Sequence, residues 1–567
     1  MTDSLASSAA MPAGAPATVS PRYKWLALSN TTVGVLLATI DTSIMLIAMP
    51  QIFRGIGLNP LESGNTFYLL WMILGYQIVS SVLVVSLGRL GDMFGRVRMY
   101  SLGFAIYTIA SLILTLDPFM GQPGALFLII GRLVQGVGAA FLVANSAAIL
   151  TDAFPANQRG LALGINNVAG ISGNFIGLVL GGLLAAINWR LVFLVSVPFG
   201  IFGTIWSYMK LRELGQRRRA RIDWAGNVTF AIGLVMVMVG ITYGIEPANG
   251  QPMGWTSVPV LSLLIGGAIF LAAFGIIETR VAEPMFRLPL FKIKAFTFGT
   301  LSTFLSAVGR GGLMFMLIIW LQGIWLPSHG YSFEQTPLWA GILMLPLTAG
   351  FLLAGPVSGF LSDHLGARWF ATGGMLGAAV TFLLLLLLPI DFNYWVFAGI
   401  LLLNGLAMGA FAAPNRAAIM TSLPAADRGA GGGMNSTFQN SANVLSIGIF
   451  FTLMIVGLSG TLATTMVQGL TAHGVPQAIA ESVGRLPPVS ILFAAFLGYN
   501  PIQTLVGQDV LGHLSQSDQA ALTGSTFFSN LIAGPFHSGL AEAFIFATIA
   551  CLIAAAASWS RGGKPAA

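Results

Sequence analysis

The chain has 567 residues, 56% of them apolar, with only 26 basic and 19 acidic side chains, or 8% charged, against roughly 25% in a soluble domain. So few charges cannot clothe a water-facing surface, which excludes a soluble enzyme, a disordered hub and a nucleic-acid binder. The net charge of +7 matters less than where it sits, and the single cysteine, Cys551, excludes an internal disulfide framework and a multi-cysteine metal site.

A membrane-crossing helix needs about 20 mainly apolar residues. Residues 1–24, rich in Ala, Ser and Pro, read as a disordered tail and not as a cleavable signal. Six spans follow, near 26–50, 66–87, 99–116, 125–151, 161–187 and 190–210. Two more lie near 224–245 and 257–279, and six others near 296–324, 338–361, 369–390, 394–421, 430–457 and 538–559, which makes fourteen. Between the last two, the loop from about 458 to 537 is long, and its apolar stretch at 487–506, broken by Asn500 and Pro501, reads as an interfacial or re-entrant piece.

With an even number of crossings both termini share a side. Twenty of the 26 basic residues fall there, including Arg89, Arg96, Arg98, the run from Lys210 to Arg221, Arg368 and Arg561. The bias makes that side cytoplasmic.

The sequence also repeats itself. Gly88, Leu90, Asp92 and Gly95 recur as Gly359, Leu361, Asp363 and Gly366 at an offset of 271. Pro155, Ala156, Arg159, Gly160, Gly164 and Asn166 recur as Pro424, Ala425, Arg428, Gly429, Gly433 and Asn435 at an offset of 269. Both copies of each block fall on the same side of the membrane, so the halves are parallel repeats about an axis along the membrane normal. The expected organisation is a tail at 1–24, a six-helix bundle at 25–211, two additional helices at 212–290, and a second six-helix bundle at 291–567 with an extracellular loop at 458–537. The fold class is all-α and polytopic. Two similar bundles around a central cavity can rock and expose it to alternate sides.

On these motifs the chain resembles the major facilitator superfamily, and within it the fourteen-helix drug:proton antiporter branch. The residues that carry the likeness are the loop from Gly88 to Arg96, Asp41-Thr42-Ser43 with Ala48-Met49-Pro50 in helix 1, and Arg132, Gln135, Gly136 and Gly138 in helix 4. Trp189-Arg190 before helix 6 and Asp223-Trp224-Ala225-Gly226 before helix 7 add to it. The antiporter motif of helix 5 usually has proline after its second glycine, where this chain has Leu178.

The resemblance implies roles for particular residues. Asp41 would carry the proton and Arg132 would assist it; their heights along helices 1 and 4 agree within the reach of an arginine. The competing reading is a static buried pair that only orients helices. Gly88, Asp92, Gly95 and Arg96, with the second copy Asp363, Gly366 and Arg368, would form a charge latch holding the cytoplasmic side closed. Asp92 is expected to accept from a neighbouring helix N-terminus, and Arg96 and Arg98 to pair with it or with lipid phosphates. Gly173, Gly177, Gly181 and Gly182 form a small-residue face for close packing between the halves. Asp41, Gln135, Arg310 and Glu542 are the candidates for the substrate cavity; Arg310, near mid-membrane in helix 9 and outside the branch signature, and Glu542, near the outer end of helix 14, are read from their positions and not from the resemblance.

No G-x-x-x-x-G-K-[ST] sequence is present, and the five histidines lack metal-ligand spacing. The expectation is therefore no cofactor, no metal and no enzymatic activity, with a proton gradient as energy source. The whole reads as a proton-coupled exporter of small amphipathic molecules in the bacterial cytoplasmic membrane, working as a monomer without nucleic acid. The alternatives are a lipid or metabolite exporter of the same fold and a non-transporting membrane scaffold or sensor.

Overall fold

The computed structural model describes residues 21–562, apart from 60, 63, 156–157, 216–222, 249, 252, 283, 285, 425–426 and 498–499. The expected tail up to residue 20, most of the basic run, and Ala156 and Ala425 of the repeat lie outside the described residues. The chain is all-α, and fourteen of its helices are long and apolar enough to cross a membrane.

We number these spans α1 (Pro21–Ile56), α2 (Asn65–Phe94), α3 (Arg96–Thr115), α4 (Gly121–Ala153), α5 (Arg159–Ile187), α6 (Leu191–Lys210), α7 (Trp224–Ile245), α8 (Val258–Glu278), α9 (Lys294–Ser328), α10 (Thr336–Ser362), α11 (Ala367–Leu386), α12 (Tyr394–Thr421), α13 (Arg428–Ser459) and α14 (Ser525–Ser560). Each expected span is matched by one of them. The first is longer than read, because Pro50 sits inside α1 without ending it. Asp41 is thereby near the middle of its helix, with fifteen residues beyond it. The last begins at Ser525 because the Pro535 turn is also absorbed into one helix.

The internal repeat has a geometric counterpart. α2 and the helix Leu345–Leu365, which carries α10 past the span proper, both stop at a glycine of positive φ, Gly95 at +111° and Gly366 at +94°, where a Cβ would be strained. Each donates its N–H to the carbonyl four residues back, Gly91 or Ser362, at 2.9 Å. In the first half α1 packs on α5 and α4 gathers α2 and α3; in the second α12 gathers α10 and α11, while α9 lies against α13 and α14. α7 and α8 pair with each other, and α7 alone of the two reaches α2 and α13, one from each half.

Helix 5 corrects one expectation. Gly173, Gly177 and Gly181 face α1 within their own bundle, with Thr39, Ile40 and Ile44 directly opposite. Only Gly182 meets the other half: a Cβ there would lie 2.5 Å from Leu338 Cα in α10. The four-residue spacing could not distinguish a partner helix in the same bundle from one across the interface, since both want a small face. Gly177→Val therefore lowers the apparent melting temperature of the purified protein, at a cost of about 1–3 kcal/mol for overpacking, with Gly177→Ala intermediate.

At the end of the bundle opposite the termini, the segment between α13 and α14 folds into a helical cap. Its helix Pro488–Phe496 turns 86° from the preceding Gln477–Gly484 and has Val489 to Phe496 completely buried. Phe493 packs on Phe451 of α13 at 5.3 Å and Phe496 on Phe315 of α9 at 5.1 Å, ring to ring. Ala495 lies over Gly323, within a π-helical turn at Trp320–Trp325, where a Cβ would meet the Ala495 carbonyl at 2.7 Å. Arg54, at the end of α1, donates to the Leu497 carbonyl at 3.0 Å and stands 3.9 Å from Glu334. Of the two readings of the apolar stretch, the burial of Pro488–Phe496 among helices fits the re-entrant one and not a piece lying along the membrane surface.

Glu246, just past α7 at the same end, is half-buried, and its Oε1 has no hydrogen-bond partner among the described residues. Burial pushes its carboxyl up from 4.5 to about 7, opposed by the Phe67 backbone N–H. An acid whose folded pKa is raised costs nothing below its unfolded value and destabilises progressively as pH rises from 4.5 to 7. Glu246→Gln is accordingly more stable than wild type in detergent above pH 7 and indistinguishable from it below pH 4.5, as a melting series across pH will read out.

Candidate functional site

The first site is a closed polar network inside the first bundle. Asp41 on α1 and Arg132 on α4 are each 1% exposed and form an ion pair through Asp41 Oδ2 and Arg132 Nη1. The other carboxylate oxygen accepts from Gln135 Nε2 at 3.1 Å, and that same amide nitrogen donates to Ser111 Oγ at 2.9 Å. Arg132 Nη1 also donates to Gln135 Oε1 at 2.7 Å, and Arg132 Nε reaches the Met72 carbonyl at 3.4 Å. Its guanidinium carbon stands 4.4 Å from the Tyr76 ring centre, and Tyr76 in turn donates to the Ala38 carbonyl at 3.0 Å. Burying two charges is favourable only when their remaining hydrogen-bonding capacity is met, and this network meets most of it.

Helix spacing explains the convergence. Arg132 and Gln135 are three residues apart and share one face of α4. Gly131, Gly136 and Gly138 bracket them, and a Cβ at Gly136 would lie 2.8 Å from the Tyr76 carbonyl. Gln135, expected on the cavity wall, is a member of the Asp41 network. Ser111, Tyr76 and the Met72 carbonyl were not legible beforehand, since a serine, a tyrosine and a backbone carbonyl carry no pattern until the helices are placed.

The loop expected as a latch uses one of the two kinds of partner read for Asp92. Asp92 does not accept from a helix N-terminus among the described residues. It takes Arg96 Nε at 2.8 Å, and Arg96 is shared with Asp152 at the end of α4, Nη1 to Oδ1 at 2.7 Å. Arg98 N donates to Glu213 at 2.9 Å. These bonds lie within the first half. Arg89 is the arm that leaves it, donating to the Pro284 carbonyl between α8 and α9, while Arg287, in the same connection, pairs with Asp427 ahead of α13.

The second copy is built on another principle. Arg368 lies over the Trp559 ring at 3.7 Å, and Arg561, near the end of the chain, donates to Asn415 Oδ1 at 2.6 Å. Burial, with Arg368 close by, lowers Arg561 to about 10. The Asp363 side chain lies outside the described residues. Gly88 faces Ala144 of α4 and Gly359 faces Ala413 of α12, each at 3.6 Å from a built Cβ.

Arg310 and Glu542 are not brought together with Asp41. Arg310 is near the middle of α9, half-buried, and has no hydrogen bond or ion pair among the described residues. A lone charge at that depth costs about 2.5–3.5 kcal/mol on insertion scales. Glu542 lies midway along α14, not near its outer end, because α14 begins a dozen residues earlier than the apolar run suggested. Among the described residues no group of three His, Cys, Asp or Glu could hold a metal ion.

Comparison with known proteins agrees with this architecture. A family model described as Major Facilitator Superfamily matches residues 31–447. Riboflavin transporter RibZ of Clostridioides difficile is 27% identical over 431 residues, covering 76% of this chain and 88% of that protein. Multidrug resistance protein Stp of Mycobacterium tuberculosis is 27% identical over 445 residues, 78% of each. Among solved structures, a bacterial homolog to the human lysosomal transporter Spinster, in an inward-facing and unoccupied conformation, superposes with a TM-score of 0.59 at 16% identity, covering 95% of this chain and 98% of that one. With fourteen spans, a doubled half and a family match across most of its length, the chain belongs to the Major Facilitator Superfamily and is a membrane transporter, not an enzyme.

Proposed function

We propose that this transporter is a proton-coupled exporter of amphipathic small molecules, working by alternating access, with Asp41 as the proton carrier. The observation that carries the reading is the ion pair itself: an acid and a base, both sealed from solvent at mid-membrane and closed by Gln135. In such a place a carboxylate is tolerable only with its cation, and a neutral acid only without it. Protonation of Asp41 therefore frees Arg132 and Gln135 to rearrange, and re-formation of the pair expels the proton. Because the pair is shielded in this conformation, exchange with water requires the bundles to move, which ties proton transfer to the conformational cycle.

The relatives support an export reading in part, one being a multidrug resistance protein and another a riboflavin transporter. The basic end with both termini is the cytoplasmic side in this reading, which puts the cap helix Pro488–Phe496 outside. Far-end packing of Gly182 against Leu338 and of Gly341 against Leu178 then describes a state closed to the exterior. The Arg96 cluster and the Arg89 and Arg287 arms would be remade as the cytoplasmic side opens and closes, and the 25–211 and 291–567 bundles would be the moving bodies. Everted vesicles carrying wild type or Asp41→Asn, energised by a pH gradient and offered a panel of amphipathic dyes, test the reading. Gradient-driven uptake in wild type alone supports it, and equal uptake in both returns Asp41 to a structural role.

A further inference from the structure

The two halves carry opposite charges at closely matching places in the repeat. At the second block's offset of 269, Asp41 of α1 corresponds to Arg310 of α9 and Gln135 of α4 to Asn404 of α12; at the first block's offset of 271, Asp41 falls two residues on, at Gly312. The correspondence is structural as well as numerical. Gln135 donates to Ser111 in the first half, and Asn404 Nδ2 donates to Thr381 Oγ1 at 2.7 Å in the second, with Ser111 and Thr381 related by 270. The partner cation is not repeated: Arg132 corresponds to Leu401.

Register fixes how Arg310 faces its neighbour. α9 and α12 run antiparallel, with Asn415 Nδ2 donating to Thr303 Oγ1 at 2.9 Å and Ser306 Oγ set 4.0 Å from Met408 Sδ. Arg310 is one turn beyond Ser306 on the same face, and Asn404 is one turn back from Met408, so the two stand at the same height on facing helices. Asn404 is fully buried, and its Oδ1 has no hydrogen-bond partner among the described residues. A mid-membrane guanidinium with no acid and a buried amide oxygen with no donor are two unmet demands at one level. A parallel repeat puts that level at the depth of Asp41.

We propose that Arg310, with Asn404 beside it, is a charge-inverted second subsite that receives the anionic group of an amphipathic substrate, a carboxylate, sulfonate or phosphate. Arg310 supplies the bidentate donors, and Asn404 Oδ1 accepts from the guanidinium and orients it. The apolar body of the same molecule lies along the aromatic and methionine side chains of the helices around it. The proposal rests on the transporter reading but not on proton coupling, since it concerns binding alone.

The test is equilibrium binding to the full chain in zwitterionic phosphatidylcholine nanodiscs, at fixed pH and without a gradient. The probes are a dansyl-tagged undecanoate and its uncharged primary amide. Wild type binds the carboxylate more tightly than the amide. Arg310→Gln loses about thirtyfold for the carboxylate and nothing for the amide, and retained amide binding shows that the variant is folded. Asn404→Leu loses less. Should Arg310→Gln fail to fold, Arg310→Lys decides: a surviving preference for the carboxylate supports the subsite, and equal affinity for the two probes overturns it. Undiminished carboxylate binding by Arg310→Gln also overturns it. Discs containing anionic phosphatidylglycerol separate the sources of the anion. Competition with the probe in wild type and not in Arg310→Gln identifies a lipid phosphate as an occupant; absence of competition identifies free amphipathic anions. Since no gradient is applied, failure of Asp41→Asn to alter efflux would leave this result standing, and the converse holds.

Discussion

Asp41→Asn abolishes pH-gradient-driven efflux, by at least about a hundredfold on the scale of losing an essential proton-transfer group, while substrate still binds and still exchanges down its own gradient. The substitution is close to isosteric, and the amide oxygen can accept from Arg132, while its nitrogen finds an acceptor once the Gln135 amide, whose Nε2 now faces Asp41, turns its Oε1 towards it. What it cannot do is take up and lose a proton. Proton-coupled transport needs a group whose two charge states favour two arrangements, and Asn has one. Reconstituted vesicles loaded with dye separate the two activities, because counterflow needs no proton whereas uphill accumulation does. Uphill accumulation by Asp41→Asn at the wild-type rate would remove this carboxyl from the coupling scheme. Asp41→Glu keeps the chemistry but adds a methylene to a site with 1% exposure, so partial activity is expected there.

The number of spans was legible because a low-charge chain must advertise each crossing as an apolar run, and the doubled loop at Gly88 and Gly359 was legible because a tight turn of positive φ leaves few alternatives to glycine at Gly95 and Gly366. The pairing of Asp41 with Arg132 was legible from the family resemblance together with their matching heights, since two charges at one depth have little else to meet. Partner choice was harder. The small face of α5 suits the interface as well as it suits α1, which fills it, and Asp92 takes Arg96, one of its two expected kinds of partner, and not a helix N-terminus. Both are questions of which neighbour, and hydropathy says how deep a residue lies but not which way it points. The seating of Pro488–Phe496 belongs to the same class: an apolar stretch of that length suits a bilayer surface and a crevice between helices equally well.

The largest stability effect is expected at Arg132, and it comes with an internal control. Arg132→Leu strands the Asp41 carboxylate with Gln135 as its main partner, at a cost of about 3–5 kcal/mol for breaking one side of a buried pair. Asp41→Leu strands the guanidinium against the Met72 carbonyl and the Tyr76 ring, at a similar cost. The double variant removes both charges together, and replacing a buried pair by apolar side chains is often neutral or stabilising. The three unfolding free energies, measured in mixed detergent micelles, should therefore be strongly non-additive, with the double variant close to wild type and well above either single one. Additive losses would mean that the two residues stabilise their helices separately and that the contact between them carries no energy. A large coupling together with abolished proton-driven transport in a well-folded double variant would show that the pair is kept for its switching, because an apolar core at this position holds the bundle equally well.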